Sequence, residues 1–250
     1  MVVTAEVVEN RLIGGRVRIL QPAEGYRAAT DPVLLAAACL AEPGDAVLDL
    51  GCGVGAASLC LGARVSGLDP TGVELQPAYA DLARQNAALN KQSFLVFQSD
   101  IRNMPDPVKQ QTFDHVIMNP PWHSPAAIAS PDAGRDLANR LHIDLRVWMA
   151  AAMSRVRPRG WLTLIQRAEW LPEILTELAP RAGHIAVLPL AARAGRPAKR
   201  VIVKARKGTN GPFRLAPPLV LHEGEAHPGD REHYSQAAKS ILRDNAPLEF

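Results

Sequence analysis

From about residue 30 onward, short apolar runs take turns with longer stretches of helical period. Asp31 with Pro32 predicts a helix start before the apolar Val33–Leu40 segment, and Pro43-Gly44-Asp45 predicts a turn. Ala46–Leu50 then reads as a short buried strand, Gly51–Gly55 as a tight loop and Ala56–Gly62 as a helix. A strand ending near Glu74, a helix over Pro77–Asn90 and a strand at Phe94–Gln98 follow. Arg102–Gln111 reads as loop and Phe113–Met118 as a strand, apolar apart from Asp114 and His115. Ala138–Val156 predicts a long helix stopped by Pro158 and Gly160. Trp161–Ile165, Ile185–Leu190 and Val201–Ala205 read as strands, with a helix at Leu171–Ala179 between the first two.

Strands alternating with helices predict an α/β fold with helices on both faces of the sheet. The expectation is a Rossmann-like, doubly wound, mostly parallel sheet of seven strands. The last strand is expected to run antiparallel, because it follows its predecessor too closely for a crossover. One domain over residues 1–250 is expected. It divides into an N-terminal extension with a capping helix (1–43), a catalytic core (44–206) and an accessory hairpin with a helix near Tyr234–Leu242 (207–250).

Composition narrows the class. With 47% hydrophobic and 21% charged residues, the chain has enough apolar mass for a core. Cys39, Cys52 and Cys60 form no CxxC pair, which argues against a disulfide framework and a zinc site; no metal is expected. Met1–Asn10 lacks the apolar run of a signal peptide, and Val33–Ala41 is far short of the roughly 20 residues of a membrane span. A cytoplasmic protein without a membrane partner is expected.

The loop Asp49-Leu-Gly51-Cys52-Gly53-Val-Gly55 lies between a strand and a helix, where glycines permit a sharp turn and close approach to a ligand. A Gly-rich loop of this kind also serves nicotinamide dinucleotides. Asp49, at the strand end, would repel their pyrophosphate and would welcome a cofactor with a cationic amino acid end, such as S-adenosylmethionine. Capping the strand end is the alternative use of this carboxylate. Glu74, at the end of the next strand, is placed to accept from ribose hydroxyls, with Asp69 as its competitor. After the third strand, Asp100 can accept from the adenine amine with Ile101 against the ring.

Asn119-Pro120-Pro121-Trp122 follows the fourth strand. An amine conjugated to a π-system is a poor nucleophile. It needs acceptors on its N–H groups and a firm aim at the methyl donor. The Asn119 side-chain oxygen and the Pro120 carbonyl supply acceptors, the prolines stiffen the loop, and Trp122 offers a stacking face worth about 1–3 kcal/mol. Asn119 therefore counts among both the catalytic and the cofactor-side residues. His123 either orients the acceptor or caps the loop, and residues 123–135 are a candidate lid. An acceptor base would have to leave its stack. Net charge is only +3, but Arg193–Lys207 carries seven basic residues and no acid. Gly195 and Pro197 suggest an exposed loop, with Arg193, Arg196, Lys199 and Arg200 as candidate RNA-phosphate contacts.

Together with Thr30–Leu35, Gly72–Pro77 and Ala83–Asn90, these motifs resemble those of the bacterial methyltransferases that modify the N6 of an adenine beside the anticodon of a valine tRNA. The resemblance spans roughly residues 10–250. It implies cofactor contacts at Asp49, Gly51, Gly53, Glu74 and Asp100, acceptor contacts at Asn119–Trp122, and tRNA as the partner. His123 is also reminiscent of ribosomal guanine-N2 enzymes. A protein glutamine-N5 methyltransferase, a catalytically silent RNA-binding module and a nicotinamide oxidoreductase are the other readings. The space before the Gly loop is short for the extra helical domain of the glutamine enzymes, and Asp49 opposes the nicotinamide reading.

Overall fold

A continuous apolar strand is stable only when both its faces are covered, and Val47–Leu50 (β3) meets that condition with every residue buried. In the computed structural model, which describes residues 6–25, 27–121, 144–224 and 233–250, β3 stands in the middle of a mixed sheet. Thr71–Glu74 (β4) and then Leu95–Gln98 (β5) lie to one side of it, parallel. Phe113–Met118 (β6) and then Val156–Arg167 (β7) lie to the other, also parallel. Arg200–Lys207 (β9) runs antiparallel between β7 and Ala182–Ala191 (β8). The expected seven strands and the antiparallel last one are present. Arg214–Leu215 (β10) and Leu219–Val220 (β11) extend the sheet to nine strands among the described residues, by pairing parallel with β8.

Thr30–Ala38 (α1), Ala56–Arg64 (α2), Pro77–Leu89 (α3) and Gln236–Asp244 (α7) pack one face of the sheet in one apolar cluster. Asp106–Lys109 (α4), Leu145–Arg155 (α5) and Leu171–Leu178 (α6) pack the other. The residues expected as loop over 102–111 thus include a short helix, α4. The first helix begins at Thr30, earlier than expected. Asp31 lies within its first turn rather than at the cap, and its carboxylate is spent on Arg200 of β9.

Two terminal segments differ from expectation. Val7–Leu12 (β1) and Val17–Pro22 (β2) form an antiparallel hairpin with left-handed Gly14 and Gly15 between them. Within 207–224 the short strands do not pair with each other, and residues 225–232 of the segment expected to hold an accessory hairpin lie outside the described residues. β10 and β11 both pair with β8, and a single antiparallel bridge joins His222 to Tyr234. The reason is an edge: β8 has a free side, and two short segments saturate its backbone groups better than they could each other's.

The sheet changes direction between β3 and β6. Strands β3, β4 and β5 step one way and β6 and β7 the other. Open α/β sheets bind ligands just beyond the carboxyl ends of the strands at such a switch point.

Candidate active site

Register brings the two motifs together. Leu50 pairs with Met118, so Gly51 and Asn119 leave the sheet side by side at the switch point. Gly51, Gly53 and Gly55 have φ of 69°, 55° and 83°, a region that costs other residues about 1–2 kcal/mol each. The Gly51 and Cys52 amides both donate to the Val73 carbonyl of β4, which fixes the loop over the strand ends. Cys52 is buried, and burial pushes its thiol well above the usual range.

Asp49 is only 2% exposed. The Ser58 hydroxyl donates to it at 2.8 Å, and the Ser58 backbone amide also donates. Ser58 is the third residue of α2, whose N-cap Gly55 has no side chain to offer. The carboxylate thus caps the helix from the preceding strand, a use different from the strand-end cap weighed from the sequence. It sits beneath the loop rather than on its surface. Burial, with the Glu74 charge adding to it, pushes its pKa up to about 7.

Glu74 ends β4, and its two oxygens accept from the Gly53 amide at 2.9 Å and the Gln76 amide at 2.8 Å. Burial raises its pKa as well. Asp69 is exposed and precedes β4, at the amino end of the sheet, so it stands away from the carboxyl edge that Glu74 occupies. Asp100 follows β5. It caps a short 3-10 turn by accepting from the Arg102 amide, and the Arg102 guanidinium beside it holds its carboxyl below the usual range. Ile101 is buried next to it.

Asn119 is half-buried, Pro120 buried and Pro121 exposed. Trp122, His123 and the candidate lid 123–135 lie outside the described residues. Two residues at the site escaped sequence reasoning. Gln166 of β7, 3% exposed, points its amide nitrogen at the Pro120 carbonyl, 3.4 Å away, while its oxygen accepts from the Arg167 amide. Trp148 of α5 covers Gly51 so closely that an added Cβ would lie 2.6 Å from its ring. Its indole N–H is buried and has no hydrogen-bond partner among the described residues. A polar residue inside an apolar strand was the available signal for Gln166; Trp148 had none.

The basic run divides. Residues 192–199 form the loop between β8 and β9, and because Arg200 pairs with Arg167, this loop sits at the carboxyl edge. Arg196 and Lys199 are exposed. Arg193 is not: its guanidinium donates to the Glu223 and Gly224 carbonyls. Arg200 is not either, being paired with Asp31. A solvent-facing guanidinium was expected at both positions. The Lys207 ammonium donates to the Met153 and Val156 carbonyls, at the far end of β9.

These features suit a ligand that is cationic at one end and carries a diol. Two buried carboxylates with raised pKa stand at neighbouring strand ends, and among the described residues neither has a cation paired to it. Among the described residues no group of three His, Cys, Asp or Glu is arranged to hold a metal, and no helix is long and apolar enough to cross a membrane.

Comparison with known proteins agrees. A tRNA1(Val) (adenine(37)-N6)-methyltransferase of Dickeya chrysanthemi is 26% identical over 87% of this chain and 87% of its own. A protein of the same name from Porphyromonas gingivalis is 29% identical, over 59% of this chain and 61% of its own length. A crystal structure described as a predicted O-methyltransferase from Agrobacterium tumefaciens matches with a TM-score of 0.69 and 25% identity, over 87% of this chain and 98% of its own. The model of the methyltransferase small domain matches residues 31–166, more than half of the chain, from the helix that carries Asp31 to the Gln166 beside Pro120. The chain therefore belongs to the methyltransferase small domain family, and its cofactor is S-adenosylmethionine.

Proposed function

We propose that this protein methylates the N6 of an adenine in RNA, in the anticodon loop of a tRNA, and acts in the cytoplasm. The observation that carries the reading is the pairing of Leu50 with Met118, which sets the Gly loop and Asn119-Pro120-Pro121 side by side. The names of the relatives from Dickeya and Porphyromonas support the substrate.

Bound S-adenosylmethionine supplies an electrophilic methyl group on a sulfonium. Glu74 accepts from the ribose hydroxyls, Asp49 balances the cationic end from below the loop, and Asp100 with Ile101 holds the adenine. Cys52 and the three glycines keep the loop surface low enough for the ligand to lie on it. The Asn119 oxygen and the Pro120 carbonyl accept from the target amine, so electron density builds on nitrogen as the new bond forms. Gln166 donates to the same Pro120 carbonyl and keeps it aimed. Trp122 stacks the flipped base. The proton leaves after transfer, when the nitrogen is cationic. Arg196 and Lys199 contact backbone phosphates beside the site.

The test is transfer of labelled methyl from S-adenosylmethionine to unmodified total tRNA, ribosomal RNA and cell protein, offered separately, with the nucleosides identified by mass spectrometry. N6-methyladenosine in the tRNA pool is the expected product. N2-methylguanosine in ribosomal RNA, or label in protein alone, overturns the substrate and leaves the family intact. Asn119→Ala should lower kcat by about 10²–10⁴-fold while cofactor binding, read by calorimetry, stays within about threefold.

A further inference from the structure

At the amino end of the sheet, away from the active site, lies a cavity of about 570 Å³. Its floor is Lys204 of β9 and Trp161 of β7; His184, Arg214, Glu249 and Phe250 rim it. Lys204 is four residues along β9 from Arg200, roughly 13 Å from the carboxyl edge at strand spacing.

A lysine inside a sheet is unusual unless it is paired, because removing an ammonium from water is costly. Lys204 is 7% exposed. Its ammonium stands 5.8 Å from the Trp161 ring centre and 4.8 Å from that of Phe250; Glu249 at the rim is near enough to act on it, but among the described residues no carboxylate is within salt-bridge reach and no hydrogen-bond acceptor is paired with it. Burial holds its pKa below the usual lysine value. The two rings compensate part of the lost hydration, and the side chain lines the cavity. Arg214, exposed on the edge strand β10, adds a second cation at the rim, close enough to act on Lys204. β8 bulges here: its register with β9 shifts between Gly183 and Ala186, and His184 takes a left-handed φ of 49°. Bulges re-aim side chains, and this one presents the imidazole at the rim of the cavity.

We propose that this cavity is a binding site for a phosphate group, seated on Lys204 and Arg214 and separate from the cofactor site. A phosphate has the charge that the buried ammonium lacks and several acceptor oxygens for the two donors. The volume exceeds a bare phosphate, so the group arrives attached to something larger: the backbone of bound RNA or a free phosphorylated small molecule. Both present the same chemistry to Lys204.

Inorganic pyrophosphate is the probe, titrated into the full-length protein with S-adenosylmethionine in excess to fill the cofactor site. Binding is read by ³¹P line broadening. Lys204→Met keeps the stem and removes the charge; Arg214→Gln alters only an exposed position. Both should melt no lower than the unaltered protein, and each should weaken pyrophosphate binding at least tenfold. Competition by unmodified tRNA, with a salt slope of tRNA binding lower by about one in Lys204→Met, assigns the phosphate to the RNA backbone. Undiminished pyrophosphate binding in the presence of tRNA assigns it to a free ligand. No binding up to about 10 mM, or binding in both variants as tight as in the unaltered protein, overturns the site.

Discussion

Asp49 and Glu74 are acids kept out of water, and their protonation is linked to what binds above them. Burial pushes the Asp49 carboxyl up to about 7 in the folded chain, from an ordinary 3.8. Its ionisation therefore opposes folding: the cost is absent below about pH 4, grows between, and is complete above about 7. A cationic ligand favours the ionised form, so cofactor affinity should fall as pH drops through 7. Titration calorimetry between pH 6 and 8 should show that fall, and Asp49→Asn should flatten it. The same substitution should gain a few degrees in melting temperature at pH 8 relative to pH 5, since Asn still accepts from Ser58. A flat profile in the unaltered protein would remove the ionised Asp49 from cofactor binding. The acids themselves were legible in the sequence, because strand-end position and spacing suffice to find them. Their partners were not. That Asp49 meets Ser58, that Gln166 meets Pro120 and that Asp31 takes Arg200 depends on which elements become neighbours, and helix and strand periods carry no such information.

At the scale of elements, the switch point depends on how tightly α5 packs over the Gly loop. Trp148 lies where a Cβ on Gly51 would stand, and Gly51 is also left-handed. Gly51→Ala should cost about 2–5 kcal/mol in urea unfolding, from strain at φ and from overpacking together. In a Trp148→Leu background the overpacking part should vanish and the φ part remain. Equal costs in both backgrounds would mean that the ring is free to move aside. The order of the long elements followed from alternating period, but two bounds did not: the helix expected from Ala138 starts at Leu145, capped by Asp144, with 138–143 outside the described residues, and the strand expected from Trp161 already begins at Val156. The β1–β2 hairpin was missed although Gly14-Gly15 marks its turn, because β1 has one exposed and one half-buried face and the buried face of β2 includes a glutamine, Gln21. The pairing of β10 and β11 with β8 was invisible because two-residue strands have no period.

Over the whole molecule, the two ends of the sheet hold cations for different purposes, and the basic run spans both. Lys207 and Lys204 serve the amino end, one donating to backbone carbonyls and one facing a cavity. At the carboxyl edge, Arg200 is joined to Asp31 while Arg196 and Lys199 face solvent beside the site. A charge count over 193–207 treats these residues alike; their surroundings do not. Removing Arg196 and Lys199 together should lower the salt slope of tRNA binding by about two and leave the urea midpoint in place, because no described partner is stranded. Arg200→Ala should do the reverse. It leaves Asp31 unpaired at 13% side-chain exposure, so unfolding should become easier by up to about 3 kcal/mol, less than for a fully buried pair. Its effect on the salt slope should be negligible, since its charge is already neutralised within the fold. Filter binding across about 50–200 mM salt, with urea melts of the same proteins, reads both quantities. A salt slope that falls with Arg200→Ala and not with the double variant would place the RNA on the α1 side of the sheet edge and away from the 192–199 loop.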